Sequence, residues 1–432
     1  MQRDRREIPL FKDVTDAQWN DWRWQVRHRL TTTDELAQAL DLDGRQRADL
    51  DACMGRFRVA ATPYYVSLMD PTDEACPVRV QGVPSPLELT VGKAEMKDAI
   101  AETIDSPTAL ITHRYPDRVL FITTEMCSMY CRHCTRRRIV GESEGATSEQ
   151  DYEDAFTYIR RNPDVRDVLL SGGDPLTLSD ERLEWLLQRV TEIGHVEIVR
   201  LGTRMPVVCP QRITPELVAM LKKYHPLYVN THFNHPKEVT PEAARACALL
   251  ADAGIPLGNQ TVLMRGVNDC AKVMTKLVRR LVQIRVKPYY FYQCDLAEGT
   301  GHFRTSVSKG LEIYESLRGH TTGFAVPTYI IDAIGGGGKT PVIPQYVISA
   351  AHHQVILRNY EGVISRYVEP DDYRFECHCE DCEAERGRTG VAGLFDASTP
   401  VLEGVWDARW EKVEDRKALM AAAPAEPAPV TR

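Results

Sequence analysis

The sequence has no apolar run approaching the ~20 residues of a membrane-spanning helix, so no membrane span is expected. The basic opening Met1-Gln2-Arg3-Asp4-Arg5-Arg6 is followed by no apolar core of a leader, so no secretion signal is expected either. Positive charge is not in excess. The net charge of -8 argues against non-specific nucleic-acid binding as the main activity. Phosphate-loop spacing is also missing. The glycine run reads Gly335-Gly336-Gly337-Gly338-Lys339-Thr340, and Pro341 and Pro344 disfavour the helix that would have to follow. What is left is an ordinary globular composition, 43% apolar and 26% charged over 432 residues. That length suits two or three domains, or one barrel with appendages.

Cysteine is plentiful, with twelve residues. Without a secretion signal they point to metal ligation in a reducing cytoplasm rather than to disulfides. Cys127, Cys131 and Cys134 have the spacing C-x3-C-x2-C and follow the apolar run 119–122. Thiolates suit zinc or iron–sulfur clusters. No fourth cysteine is near, the next being Cys209. Three ligands on a four-iron cluster leave one iron open to a small molecule; a zinc knuckle completed by His133 is the alternative. A second group, Cys377, Cys379 and Cys382, calls for a metal, zinc or an auxiliary cluster. The remaining cysteines read mostly as buried thiols.

Residues 1–105 read as mostly helical. Thr15-x-x-Gln18 is a capping box, and Trp19, Trp22, Trp24 and Val26 form a packing stripe. Across 106–350, strands are expected at 119–124, 166–171, 196–202, 227–232, 256–263 and 287–293, each followed by a helix. Six strand–helix units imply an α/β parallel sheet closed into a barrel or partial barrel. Its chemistry belongs at the carboxyl ends of the strands, and the first cysteine group directly follows the first strand. A small metal-binding region follows at 351–410, with a hairpin about 359–362. The Ala/Pro-rich tail, 411–432, is expected to be disordered.

Several residues sit where such a barrel presents ligands. Ser171-Gly172-Gly173-Asp174 ends the second strand. His232, Gln260 and Tyr292 lie at strand ends, where they could line a ligand pocket. Asp295 and Asp332 follow the last strands, and Lys339 on its glycine run suits Schiff-base chemistry.

The C-x3-C-x2-C spacing resembles the signature of radical S-adenosylmethionine enzymes. CSMYCRHCTRRR, LLSGGD, THFNHP, GNQTVLMRGVNDC, YQCD and GGGGKTPV, in this order, closely resemble the lysine 2,3-aminomutase family from about residue 10 to 394. The resemblance implies a partial (βα)6 TIM-like barrel that interconverts L-lysine and L-β-lysine by radical 2,3-amino migration. It implies a [4Fe–4S] cluster on Cys127, Cys131 and Cys134, and S-adenosylmethionine held by Ser171, Gly172, Gly173 and Asp174, with His232, Gln260 and Tyr292 lining its adenosyl pocket. Pyridoxal 5'-phosphate would join Lys339 as an aldimine, with its phosphate on Arg114, Tyr115 and Arg118. Arg136 would hold the substrate carboxylate, while Asp295 and Asp332 hold its ε-ammonium; glutamate-specific relatives depart from that acidic pair. Zinc would join Cys377, Cys379 and Cys382 to Cys270 of a neighbouring subunit, giving a homo-oligomer, dimer or tetramer. An external low-potential electron donor is required. An arginine 2,3-aminomutase, or a radical maturase without pyridoxal phosphate, are the rival readings.

Overall fold

Strands with a period-two apolar pattern, separated by amphipathic helices, build one curved sheet. The computed structural model describes residues 2–141, 147–351 and 354–370. Its main sheet runs in sequence order through β1 (Ile111–Tyr115), β2 (Arg118–Thr124), β3 (Asp167–Gly172), β4 (Ile198–Gly202), β5 (Leu227–Thr231), β6 (Leu257–Leu263), β7 (Lys287–Gln293), β8 (Thr328–Ala333) and β9 (Gly338–Pro341). Strands β2 to β8 are mutually parallel, with helices between them as crossovers. The expected barrel-like α/β sheet is therefore present, with β8 as a further parallel strand.

Two edge strands were not foreseen. β1 pairs antiparallel to β2, and β9 antiparallel to β8. The glycine run is thus more than a flexible loop. Gly335, Gly336 and Gly338 take φ of 72°, 76° and 84°, a region open chiefly to glycine. They turn the chain back along β8. The edges also meet, because the Lys339 backbone N–H on β9 donates to Tyr115 Oη on β1 at 2.8 Å.

The barrel helices start where short polar side chains can cap them. Ser148, Ser179, Thr214 and Thr240 each accept a backbone N–H of the first turn, worth ~1 kcal/mol apiece. One face of the sheet packs under these helices. Val119, Phe121, Val168, Leu170, Val199 and Leu201 are buried, and Phe121 meets Phe156 of the helix Glu149–Arg161 at 5.4 Å between ring centroids. The alternate residues, including Ser171, Gly202, Gln260 and Tyr292, are only half-buried and line the concave face. β1 and β9 touch through Tyr115 but share no ladder, so the sheet is a nearly closed barrel.

The chain divides into two compact units, 1–343 and one beginning at Pro344. In the first, the tryptophan stripe packs as expected, but on two helices, Asp16–Asn20 and Trp22–Arg27. Asp21 is extended between them and caps the second by accepting from Arg23 N–H. In the second, β10 (Val347–Ala351), β11 (Gln354–Arg358) and β12 (Ile364–Val368) form an antiparallel sheet, and β11–β12 is the expected hairpin. Cys377, Cys379, Cys382 and the tail from 411 lie outside the described residues.

Candidate active site

The cysteine segment follows β2 and is held by the end of β3. Gly173 N–H donates to Thr124 O at 2.6 Å, and Asp174 N–H to Met126 O at 2.8 Å. A Cβ on Gly172 would lie 2.7 Å from Thr124 O, and one on Gly173 2.3 Å from Met126 O. The two glycines are therefore required by the approach of β3 to the backbone leading into Cys127. Asp174 spends its carboxylate on the N–H groups of Leu176 and Arg204 and on Thr203 Oγ1. It braces the next strand end, whereas Ser171 shares the concave face with Gly202.

Cys127, Cys131 and Cys134 line one cavity of about 290 Å³ with Phe57, Arg132 and Arg137. Burial, then the neighbouring Cys131, pushes the Cys134 thiol up to about 11, and burial raises Cys127 as well. Buried thiols such as Cys127 and Cys134 that resist ionising are what a polycationic centre would relieve. Among the described residues, no three potential ligands converge on a single metal ion. His133 is buried, with Nε2 3.3 Å from Asn234 Nδ2, and burial keeps it neutral.

Buried charges surround this segment. Glu88 pairs with Arg132 at 2.6 Å and with Arg137 at 2.5 Å. Burial opposes its ionisation, but the two guanidiniums outweigh that and hold its carboxyl below the usual range. Arg204 donates to Cys131 Sγ at 2.8 Å and pairs with Glu238 at 2.8 Å. His232 is pushed down to about 4 by burial and then by Arg204, so it is neutral at pH 7.

The predicted substrate groups act on one another at the strand ends. Arg136 is gripped by Glu102, at 2.8 Å through Nε and 2.6 Å through Nη2. Asp295 accepts from Thr135 Oγ1 at 2.8 Å, tying the strand β7 end to the cysteine segment. Burial, then Asp332, pushes Asp295 up to about 6. Lys339 Nζ is 3.5 Å from Asp332 Oδ1 and 5.5 Å from the Tyr292 ring centroid. Asp332 Oδ1 is buried with no hydrogen bond, an acceptor matched to a cation.

The remaining predicted residues differ in how free they are. Arg114 is paired with Asp105 at 2.8 Å and donates to the Ile100 carbonyl. Arg118 lies 4.0 Å over the Tyr115 ring, and Tyr115 reaches Lys339. Gln260 lies half-buried on β6. Cys270 is exposed, just before the helix Ala271–Gln283.

Arg204, Glu102, Glu88 and Thr135 were missed by sequence reasoning. Their partners are distant in sequence: Glu88 is 44 positions from Arg132, and Arg204 is 73 from Cys131. Only the run Arg136-Arg137-Arg138 hinted that buried acids must exist.

Residues 121–278 match the Radical SAM superfamily, and residues 314–422 match the family described as Lysine-2,3-aminomutase. The chain is 58% identical to an L-lysine 2,3-aminomutase of Clostridium subterminale, over 93% of this chain and 97% of that protein. It is 57% identical to one of Fusobacterium nucleatum, over 89% and 91%. To a glutamate 2,3-aminomutase of Clostridioides difficile it is 48% identical, over 85% and 87%.

Proposed function

The chain belongs to the lysine 2,3-aminomutase family of radical S-adenosylmethionine enzymes, and from that premise we propose that it interconverts L-lysine and L-β-lysine by 2,3-amino migration. The observation that carries the lysine reading is the meeting of Asp295 and Asp332 with Lys339 at the strand ends. Two carboxylates there suit a substrate with a cationic tail. A glutamate tail would add a third negative charge, at a cost of about 4 kcal/mol per close pair at an effective dielectric of 20.

When bound, the [4Fe–4S] cluster with S-adenosylmethionine supplies a carbon-centred radical that takes substrate hydrogen, and pyridoxal phosphate supplies a carbonyl carbon that carries the migrating nitrogen. The chain's own residues bind and orient. Cys127, Cys131 and Cys134 hold the cluster. Ser171, Gly172, Gly173 and Asp174 shape the cofactor's seat, with His232, Gln260 and Tyr292 along the concave face. Lys339 bonds the pyridoxal phosphate, and Arg118, Tyr115 and Arg114 form its phosphate end. Arg136, steadied by Glu102, takes the substrate carboxylate.

An external low-potential donor supplies the electron. Zinc on Cys270, Cys377, Cys379 and Cys382 would be shared between subunits of a homo-oligomer; the support is the exposure of Cys270, which leaves its thiol open to a second chain. A reducing cytoplasm suits free thiols and an oxygen-sensitive cluster. No helix among the described residues is long and apolar enough to cross a membrane.

Anaerobic incubation with L-lysine, S-adenosylmethionine, pyridoxal phosphate and a strong reductant tests the function. L-β-lysine is the expected product. Unchanged lysine alongside rearranged arginine or glutamate would reject the substrate.

A further inference from the structure

The buried guanidinium of Arg204 reaches a sulfur of the cysteine segment. It follows β4, and its side chain is 8% exposed. Nη1 donates to Cys131 Sγ at 2.8 Å. Nη2 reaches Gln81 Oε1 at 2.7 Å and Glu238 Oε1 at 2.8 Å. Nε donates to the His232 carbonyl at 3.1 Å. Its backbone N–H is fixed to Asp174, whose own N–H is fixed to Met126, one residue before Cys127. Both ends of the residue are thus locked to the segment that carries the cysteines. A lone carboxylate partner needs only part of the guanidinium fork. The remaining N–H group is spent on sulfur.

We propose that Arg204 is a positioning residue for the iron–sulfur cluster, holding Cys131 as a ligand and raising the cluster's reduction potential through its N–H to Cys131 Sγ. The inference rests on the reading of Cys127, Cys131 and Cys134 as cluster ligands. The physics is a difference between two redox states. A reduced cluster carries one more negative charge than the oxidised one. A fixed cation and N–H donor at a ligand sulfur stabilise that state more. The low local dielectric around a buried group magnifies the difference. The donor therefore eases delivery of the electron on which radical formation depends. Glu238 acts in the opposite sense, because its negative charge partly cancels Arg204. It touches no cysteine in the described contacts.

The test is an EPR-monitored redox titration of anaerobically reconstituted full-length protein, with iron and sulfide content measured first. Arg204→Gln is expected to lower the midpoint potential by at least the equivalent of a tenfold weaker reduction equilibrium, about 59 mV for one electron. Glu238→Gln is expected to raise it. A merely structural brace would leave the potential of any loaded variant at the wild-type value. Arg204→Gln that holds a full cluster at unchanged potential overturns the proposal. If Arg204→Gln cannot hold the cluster, Glu238→Gln decides: a rise supports the proposal, and an unchanged or lower potential overturns it. Wild-type protein that binds no iron and sulfide would instead overturn the cluster reading itself.

Discussion

Lys339 Nζ lies 3.5 Å from Asp332 Oδ1, on residues that face each other across the β8–β9 ladder. The left-handed glycines make the return possible, and the register does the rest. A one-residue slip would send Lys339 to the opposite face of the strand. At 3.5 Å the pair attracts but does not hydrogen-bond well, and Asp332 Oδ1 keeps unmet acceptor capacity. The two charges offset each other, and under the proposed function a substrate ammonium would meet the remaining acceptor capacity of Asp332.

Asp332→Asn should therefore lower kcat/KM for L-lysine about 10- to 100-fold, since a hydrogen bond to a charged group is worth ~1.5–3 kcal/mol. Steady-state kinetics under anaerobic conditions measures this, with circular dichroism to confirm folding. Activity within twofold of wild type would remove Asp332 from substrate recognition.

Lys339→Ala should abolish the visible absorption band that added pyridoxal phosphate gives the wild-type protein, and with it borohydride trapping. A band that survives the substitution would place the cofactor on another amine.

Asp295 titrates where enzymes are assayed. Burial and Asp332 raise it to about 6, so it is ionised at pH 7 and gains a proton as pH falls through 6. Only the ionised form attracts an ammonium. kcat/KM for lysine should then fall on the acid side through about pH 6, and Asp295→Asn should lose that limb. The sign for folding is the reverse. A raised carboxyl favours the folded state at low pH, and that contribution fades as pH rises from about 4 through 6. Denaturant titrations of wild type and Asp295→Asn across that window measure the difference.

Glu102 orders Arg136 through two close contacts. Glu102→Gln should raise KM for lysine about tenfold while changing kcat less, because the guanidinium loses its anchor but not its charge. A fall in kcat alone would contradict the positioning role.

Glu88 is the counter-ion of buried Arg132 and half-buried Arg137. Glu88→Gln strands both, and should cost roughly 3–5 kcal/mol, read as a lowered melting temperature. Because the folded carboxyl sits below its usual range, this stabilisation is present at neutral pH and is lost as pH falls below the glutamate range. The variant should lack that acid-side loss.

Much of this enzyme was legible from local chemistry. Cysteine spacing, strand–helix alternation, the SGGD strand end and the capping residues all act over a few positions, so the chain order displays them. The strand Lys287–Gln293 falls at the expected 287–293, and the helix Asp180–Thr191 follows the strand expected at 166–171. The edge strands were hidden because β1 and β9 are short, and their ladder partners supply the stabilisation that their own residues do not. Ion-pair partners were hidden for a related reason. A buried guanidinium must find a carboxylate, but sequence does not say which. Folding chose Glu88 for Arg132 and Arg137, Glu102 for Arg136, and Glu238 with Cys131 for Arg204. The sequence by itself determined the reaction class, through the ligands and the lysine it carries. The tertiary structure alone decided which charges neutralise one another around them, because that depends on distances between residues tens of positions apart.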